Sequence, residues 1–153
     1  MASAPVTRLE YRDVTMRFAD RSGRGALTAI RNVSFSIRDG EVVALIGPSG
    51  CGKSTLLNIG SGLTAPSEGQ AFVDGAPVAG PNAQVAFMLQ KDLLLPWRTI
   101  LENVMFGVEI QGVPLAERKR RAEKLLASFN LAEFSGHYPH HLSGGMRQRV
   151  ALA

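Results

Sequence analysis

Gly47-Pro48-Ser49-Gly50-Cys51-Gly52-Lys53-Ser54-Thr55 follows the spacing G-x-x-x-x-G-K-S/T, that of a phosphate-binding loop. Its flanks fit the same reading. Glu41 to Ile46 (EVVALI) is a short apolar, β-branched run, which predicts a buried parallel strand. Thr55-Leu56-Leu57-Asn58-Ile59 reads as the first turns of a helix over Ser54 to Ser61, closed by Gly62. A strand, a glycine-rich loop and a helix therefore follow one another without a gap. Gly47, Gly50 and Gly52 let the backbone bend and approach an anion without Cβ clashes. The loop N–H groups then form a nest for phosphate oxygens, and the helix N-terminus adds roughly half a positive elementary charge. Lys53 would place a full charge on the outer phosphates, and the Ser54 hydroxyl would ligate Mg²⁺.

Outward from the loop, Leu9 to Phe18 carries Val14, Met16 and Phe18 at period two, a strand signal. Ala19 to Ala26 is polar and glycine-rich and reads as a turn. Ile30 to Ile37 alternates again through Val33 and Phe35. These two strands are expected to form an antiparallel hairpin-like edge, ending at the turn pair Asp39-Gly40. Beyond the loop helix, Gln70 to Val73 and Val85 to Leu89 read as strands, with Asp74-Gly75 a turn and Gln90 at a strand end.

The pattern then becomes helical. Thr99-Ile100-Leu101-Glu102 is a capping box opening a helix with Ile100, Val104 and Val108 at i, i+4 spacing. Gly112-Val113-Pro114 breaks it and starts another, to about Phe129. That helix sets Leu115, Ala122, Leu125, Leu126 and Phe129 against a basic face of Arg118, Lys119, Arg120, Arg121 and Lys124. His137, His140 and His141 read as loop residues, since no thiolate or spaced carboxylate joins them. Ser143 reads as the N-cap of a last helix.

The chain has 153 residues, 45% hydrophobic, with net charge +4, which suits an anionic ligand without establishing nucleic-acid binding. Cys51 is the single cysteine, so no disulfide framework forms within the chain. No apolar run approaches the about 18 residues of a membrane span, and the first ten residues carry no apolar leader core. If the protein works at a membrane, a partner does the spanning.

GPSGCGKST, Gln90, the helical insert and LSGGMRQRVALA together resemble the nucleotide-binding domain of ATP-binding-cassette (ABC) transporters, over Leu9 to Ala153. LSGGMRQRV with Leu94-Leu95-Pro96-Trp97-Arg98 is similar to the branch importing nitrate, sulfonates or taurine. The resemblance implies an α/β fold: a P-loop core with an antiparallel β edge over residues 1–90, a helical subdomain over 91–142, and a signature loop with its helix over 143–153. It implies ATP and Mg²⁺ as cofactors. Gly47 to Thr55 would hold the nucleotide, with Lys53 and Gln90 in catalysis and Ser54 and Gln90 on Mg²⁺. Ser143, Gly144 and Gly145 would close on ATP held by a second ATPase subunit. Phe18 either stacks on adenine or packs as a strand core residue. Met146 departs from the family's usual glutamine. The implied partners are a membrane-spanning subunit, a second copy of the ATPase subunit and, indirectly, a solute-binding protein. The implied location is the cytoplasmic face of the inner membrane. Leu93, Leu94, Leu95 and Trp97 either line the groove that receives the membrane subunit or pack inside the insert.

The family also needs an apolar strand ending in Asp-Glu, the Walker B strand, and none occurs by Ala153. The chain thus reads as the N-terminal part of an ATPase subunit, expected to be inactive alone, so that a non-catalytic nucleotide-binding or dimerisation module stands as the alternative. An ABC ATPase of DNA repair would carry coiled-coil or CxxC insertions between loop and signature, so nucleic acid is not an expected partner.

Overall fold

The structure is a computed structural model that describes residues 6–19 and 25–153. The chain divides into two compact units, residues 1–87 and 88–153.

In the first unit, β1 (Thr7–Ala19) pairs antiparallel with β2 (Ala26–Arg38). Of the expected turn, Ala19 to Ala26, the two end residues pair with each other as the strand ends, and residues 20–24 lie outside the described residues. On its other side β1 pairs antiparallel with β3 (Glu68–Val73), and β3 with the short β4 (Ala76–Pro77), in the order β2-β1-β3-β4. Asp74 (φ 49°) and Gly75 (φ 78°) both take left-handed backbone, the requirement of a two-residue type I′ hairpin turn.

Strict alternation along β1 breaks at Asp13 (φ 51°) and, on β2, at Asn32 (φ 48°). The register shifts between Tyr11 and Val14, a bulge that puts both on the core face although they are three residues apart. Side chains stitch the bulge. Ser34 Oγ accepts from Asp13 N at 2.8 Å, and the buried Thr15 Oγ1 accepts from Asn32 N at 2.9 Å. Past the bulge Phe18 turns outward at 42% exposure, so it is not a core residue.

The core of this unit gathers Tyr11, Val14, Met16, Ile30 and Ala71 from the sheet with Leu56 and Ile59 from helix α1 (Lys53–Gly60). Burying each of the two α1 side chains contributes about 1.5–3 kcal/mol. Tyr11 Oη donates to Leu56 O at 3.0 Å, and burial pushes its phenol up to about 12. This contact pins α1, and with it the loop ahead of α1, to β1. Gly62 (φ 78°) closes the helix, its N–H donating to Ile59 O at 3.1 Å.

Two expected strands are not formed. Glu41 to Ile46 is no buried parallel strand, with Val42 96% and Ile46 94% exposed. Only Leu45 leans on the core. Val85 to Leu89 is likewise without ladder, with Met88 and Leu89 exposed, so Gln90 is not at a strand end. The physical reason is that strand state is conferred by neighbours. Among the described residues all ladder bonds run within β2-β1-β3-β4, and neither segment pairs with that sheet.

The second unit is helical: α2 (Ile100–Ile110), α3 (Leu115–Ser128), 3-10 turns at Ala132–Phe134 and Pro139–His141, and α4 (Gly144–Leu152). The capping box forms as the sequence requires. Thr99 Oγ1 accepts from Glu102 N at 3.3 Å, while Thr99 N donates to Glu102 Oε2 at 2.7 Å. That backbone donor, more than any other group, holds the Glu102 carboxyl below its ordinary value. Ile100, Leu126, Leu131, Leu142 and Val150 make the core. The buried stripe of α3 is narrower than expected: Ala122 and Leu126 are buried, whereas Leu115 and Leu125 are exposed. Its basic face is ion-paired, with Arg120 and Arg121 both donating to Glu117 at 2.6–2.8 Å.

Candidate functional site

The loop ahead of α1 is built by its glycines. Gly50 (φ 81°) and Gly52 (φ 95°) take left-handed backbone that other residues adopt only at a cost. Gly52 is also a close approach, since a Cβ there would stand 2.6 Å from Ala29 O of β2. At Gly47 an added Cβ would lie 2.8 Å from Cys51 Sγ, so the cysteine side chain would have to turn aside.

Gly52 occupies the N-cap of α1 without offering a side chain, and no acidic residue stands in the first turn. The first helical N–H with its own acceptor is that of Leu56, bonded to Gly52 O at 2.9 Å. The positive end of the α1 dipole is thus left without a built-in anion. Lys53 bends back over the loop, its Nζ donating to Pro48 O at 2.7 Å, Gly47 O at 2.8 Å and Cys51 Sγ at 3.4 Å. Among the described residues no carboxylate pairs with it. Ser49 and Ser54 are exposed and Thr55 is half-buried beside them. The loop therefore concentrates a cation, uncapped N–H groups and hydroxyls in one exposed place, a chemistry that receives a polyphosphate.

Phe18 belongs to the same unit, at the far end of β1 opposite Leu27. Gln90 belongs to the second unit and is exposed.

In the second unit Ser143 is the N-cap of α4, its Oγ accepting from Met146 N at 3.4 Å. Gly144 and Gly145 are exposed, and a Cβ on Gly145 would meet nothing within 4 Å. The fold itself does not need glycine there. Met146, which departs from the usual glutamine, packs against the core formed by Ile100, Leu126 and Val150. Its thioether is thus spent on packing. The apolar loop after Gln90 divides: Leu94 packs on the same core, whereas Leu93 and Trp97 (71%) are exposed.

Two features had no sequence signal. Asn103 of α2 clamps this loop, its side-chain oxygen accepting from Leu95 N at 2.7 Å. Its amide nitrogen donates to Thr99 O at 2.9 Å, Arg98 O at 3.1 Å and Leu95 O at 3.2 Å. Asp92 pairs with Arg147 of α4 at 2.8 Å, a partner 55 residues away. Among the described residues no group of three or more His, Cys, Asp or Glu is placed to hold a metal ion.

Comparison with known proteins agrees over nearly the whole chain. A family model described as ABC transporter matches residues 30–153. The taurine import ATP-binding protein TauB of Burkholderia pseudomallei (strain 1710b) is 48% identical over 97% of this chain and 56% of its own length. An uncharacterized ABC transporter ATP-binding protein of Methanocaldococcus jannaschii, MJ0412, is 42% identical over 95% of this chain and 54% of its own. The chain thus spans about half the length of the curated relatives it matches. Among solved structures, the dimeric post-hydrolysis state of the ATP-binding cassette MJ0796 bound to ADP and Pi superposes with a TM-score of 0.84, at 33% identity, over 94% of this chain and 67% of that one. The fold is that of an ABC-type α/β P-loop core with an antiparallel β edge and a helical unit. With residues 30–153 matched by the family model and close relatives along almost all of its length, this chain belongs to the ABC transporter family.

Proposed function

We propose that this chain is the nucleotide-binding part of an importer's ATPase subunit, serving uptake of a small solute of the taurine, sulfonate or nitrate type. The observation that carries the reading is the loop Gly47–Thr55, where left-handed Gly50 and Gly52 leave the α1 N-terminus uncapped beside the Lys53 ammonium. Lys53 exchanges its contacts with Gly47 O and Pro48 O for the outer phosphates of ATP, and the loop N–H groups take the inner ones. Mg²⁺ supplies charge neutralisation on the phosphates. The exposed Ser54 hydroxyl fits it as one hard oxygen ligand, with Gln90 assigned a further contact. Phe18, half exposed on β1, is assigned to the adenine. Ser143, Gly144 and Gly145 receive the nucleotide held by a second ATPase subunit.

Among the described residues no helix is long and apolar enough to cross a membrane. The membrane is reached through a spanning subunit on its cytoplasmic side, supplied with solute by a binding protein. Residues 1–90, 91–142 and 143–153 are assigned as nucleotide core, helical subdomain and signature segment.

The test is ATP titration of wild-type and Lys53→Ala protein at the relatives' length. Loss of a charge-assisted contact is expected to cost about 1.5–3 kcal/mol, more than about tenfold in affinity. Unchanged affinity sinks the assignment. A second reading, a nucleotide-binding module without turnover, draws on Lys53 making no ion pair with a carboxylate among the described residues. Single-turnover hydrolysis by the same protein separates the two.

A further inference from the structure

Arg147 lies one turn into α4, yet its side chain works outside the helix. Its Nη1 donates to Leu142 O at 2.7 Å, and its backbone N–H donates to Ser143 O at 3.0 Å. It therefore holds both residues at the start of α4. Its Nε donates to Asp92 Oδ2 at 2.8 Å, across to the loop that follows Gln90. The pair is two-thirds buried, the side chains being 34% and 27% exposed, so it is less screened than the surface pairs of α3. A charge-assisted bond is roughly twice as strong as a neutral one, and the planar guanidinium holds a carboxylate and a carbonyl in one fixed geometry that a flexible ammonium does not impose.

The loop is held at its other end by Asn103. Between the two anchors Leu93 takes φ 47°, a left-handed conformation disfavoured for a branched side chain. Such a backbone persists only where the surroundings over-determine it. Asp92, bonded to Arg147, and Asn103, bonded to Leu95, are the anchors on its two sides.

We propose that Arg147 is a positioning residue that locks the Ser143 N-terminus of α4 to the loop after Gln90 through Asp92, so that the two move as one piece. The proposal rests on the reading that Ser143, Gly144 and Gly145 meet nucleotide. Arg147 itself touches no nucleotide. Its work is to hold Ser143 where a displacement of about 1 Å would cost about a hundredfold in rate.

The test uses the full-length protein assembled with its membrane subunits. Arg147→Gln and Asp92→Asn each remove one side of the pair, and Arg147→Lys keeps the charge but loses the fork. ATP affinity, KM, kcat and the unfolding midpoint are measured for each variant and for the double variant Asp92→Asn/Arg147→Gln. The expected result is ATP affinity within about twofold of wild type and kcat lowered about ten- to a hundredfold, with the double variant no worse than Arg147→Gln and Arg147→Lys in between. Unchanged kcat in the single variants overturns the proposal. So does a double-variant deficit equal to the product of the singles. A kcat loss that follows the unfolding midpoint, with Arg147→Lys no better than Arg147→Gln, leaves only a structural contact and also overturns it. Lys53→Ala, run alongside, tells the two readings apart: if it leaves ATP affinity unchanged, the nucleotide reading itself has failed.

Discussion

Gly52 and Gly145 both stand at helix N-termini, but the fold uses them differently. Gly52 is held at φ 95° with Ala29 O in the way of any Cβ, so its smallness is consumed internally. Gly145 has open space where a Cβ would go, so the fold does not require its smallness, and under the proposed function it is the approaching nucleotide that would. The two alanine variants should part accordingly. Gly52→Ala is expected to lose about 1–3 kcal/mol in urea unfolding, from backbone strain and the clash with β2. Gly145→Ala is expected to stay within about 0.5 kcal/mol of wild type in the same measurement. It should instead weaken ATP-dependent association of two ATPase subunits. Equal stability losses in both would mean that the α4 N-terminus is a packing site. At this scale the sequence was informative where one residue type answers one local need. Glycines, Lys53, Ser54 and the Ser143 cap were all nameable from spacing. Asp92 and Arg147 were not, because a pair separated by 55 positions leaves no periodic trace.

Helix α3 shows what an element can do with its charges. Its basic run is not a free cationic face, because Arg120 and then Arg121 draw the Glu117 carboxyl down to about 2 from its ordinary 4.5. A carboxyl lowered on folding binds fewer protons in the native state. Its contribution to stability is therefore complete above about 4.5 and lost as pH falls toward about 2. Glu10, Glu68, Glu102 and Glu109 shift the same way through Arg12, Arg17, Thr99 and Arg98 respectively. The unfolding midpoint should thus drop across this acid range, and Glu117→Gln should shallow the drop while lowering the midpoint at neutral pH slightly. Identical acid profiles for the two proteins would mean the fork is formed equally in the unfolded chain. Elements with local determinants were legible in the same way. The Thr99–Glu102 capping box, the Asp74-Gly75 hairpin turn and the β1–β2 pairing all stand where the residues placed them. The bulge at Asp13 was not legible, because period-two counting has no term for an extra residue. Phe18 continues the period of the buried Val14 and Met16 yet is exposed, beyond a further register shift between Met16 and Arg17.

At the scale of the whole molecule, the segments that failed to become strands matter most. Val42, Val43, Ile46, Met88 and Leu89 are exposed on backbone that belongs to no sheet among the described residues. Their composition is that of a central, doubly covered strand, and the sequence reading of them as buried was a reading of composition. Composition states what a segment would do beside the right neighbours, and it does not supply the neighbours. Unpaired apolar backbone of this kind is a template for pairing with another chain. A polypeptide of residues 1–153 alone is therefore expected to self-associate at micromolar concentration. Size-exclusion chromatography with light scattering, beside a polypeptide of the relatives' length, measures this. Val42→Lys with Ile46→Lys should reduce association of the short polypeptide, because charges on an exposed edge oppose pairing. The same pair should destabilise the longer polypeptide, where these positions are expected to be covered and each lysine would then bury a charge. A short polypeptide that is monomeric and unfolds sharply would show that 41–46 and 85–89 are ordinary surface. The composition of both segments would then be left without a structural purpose.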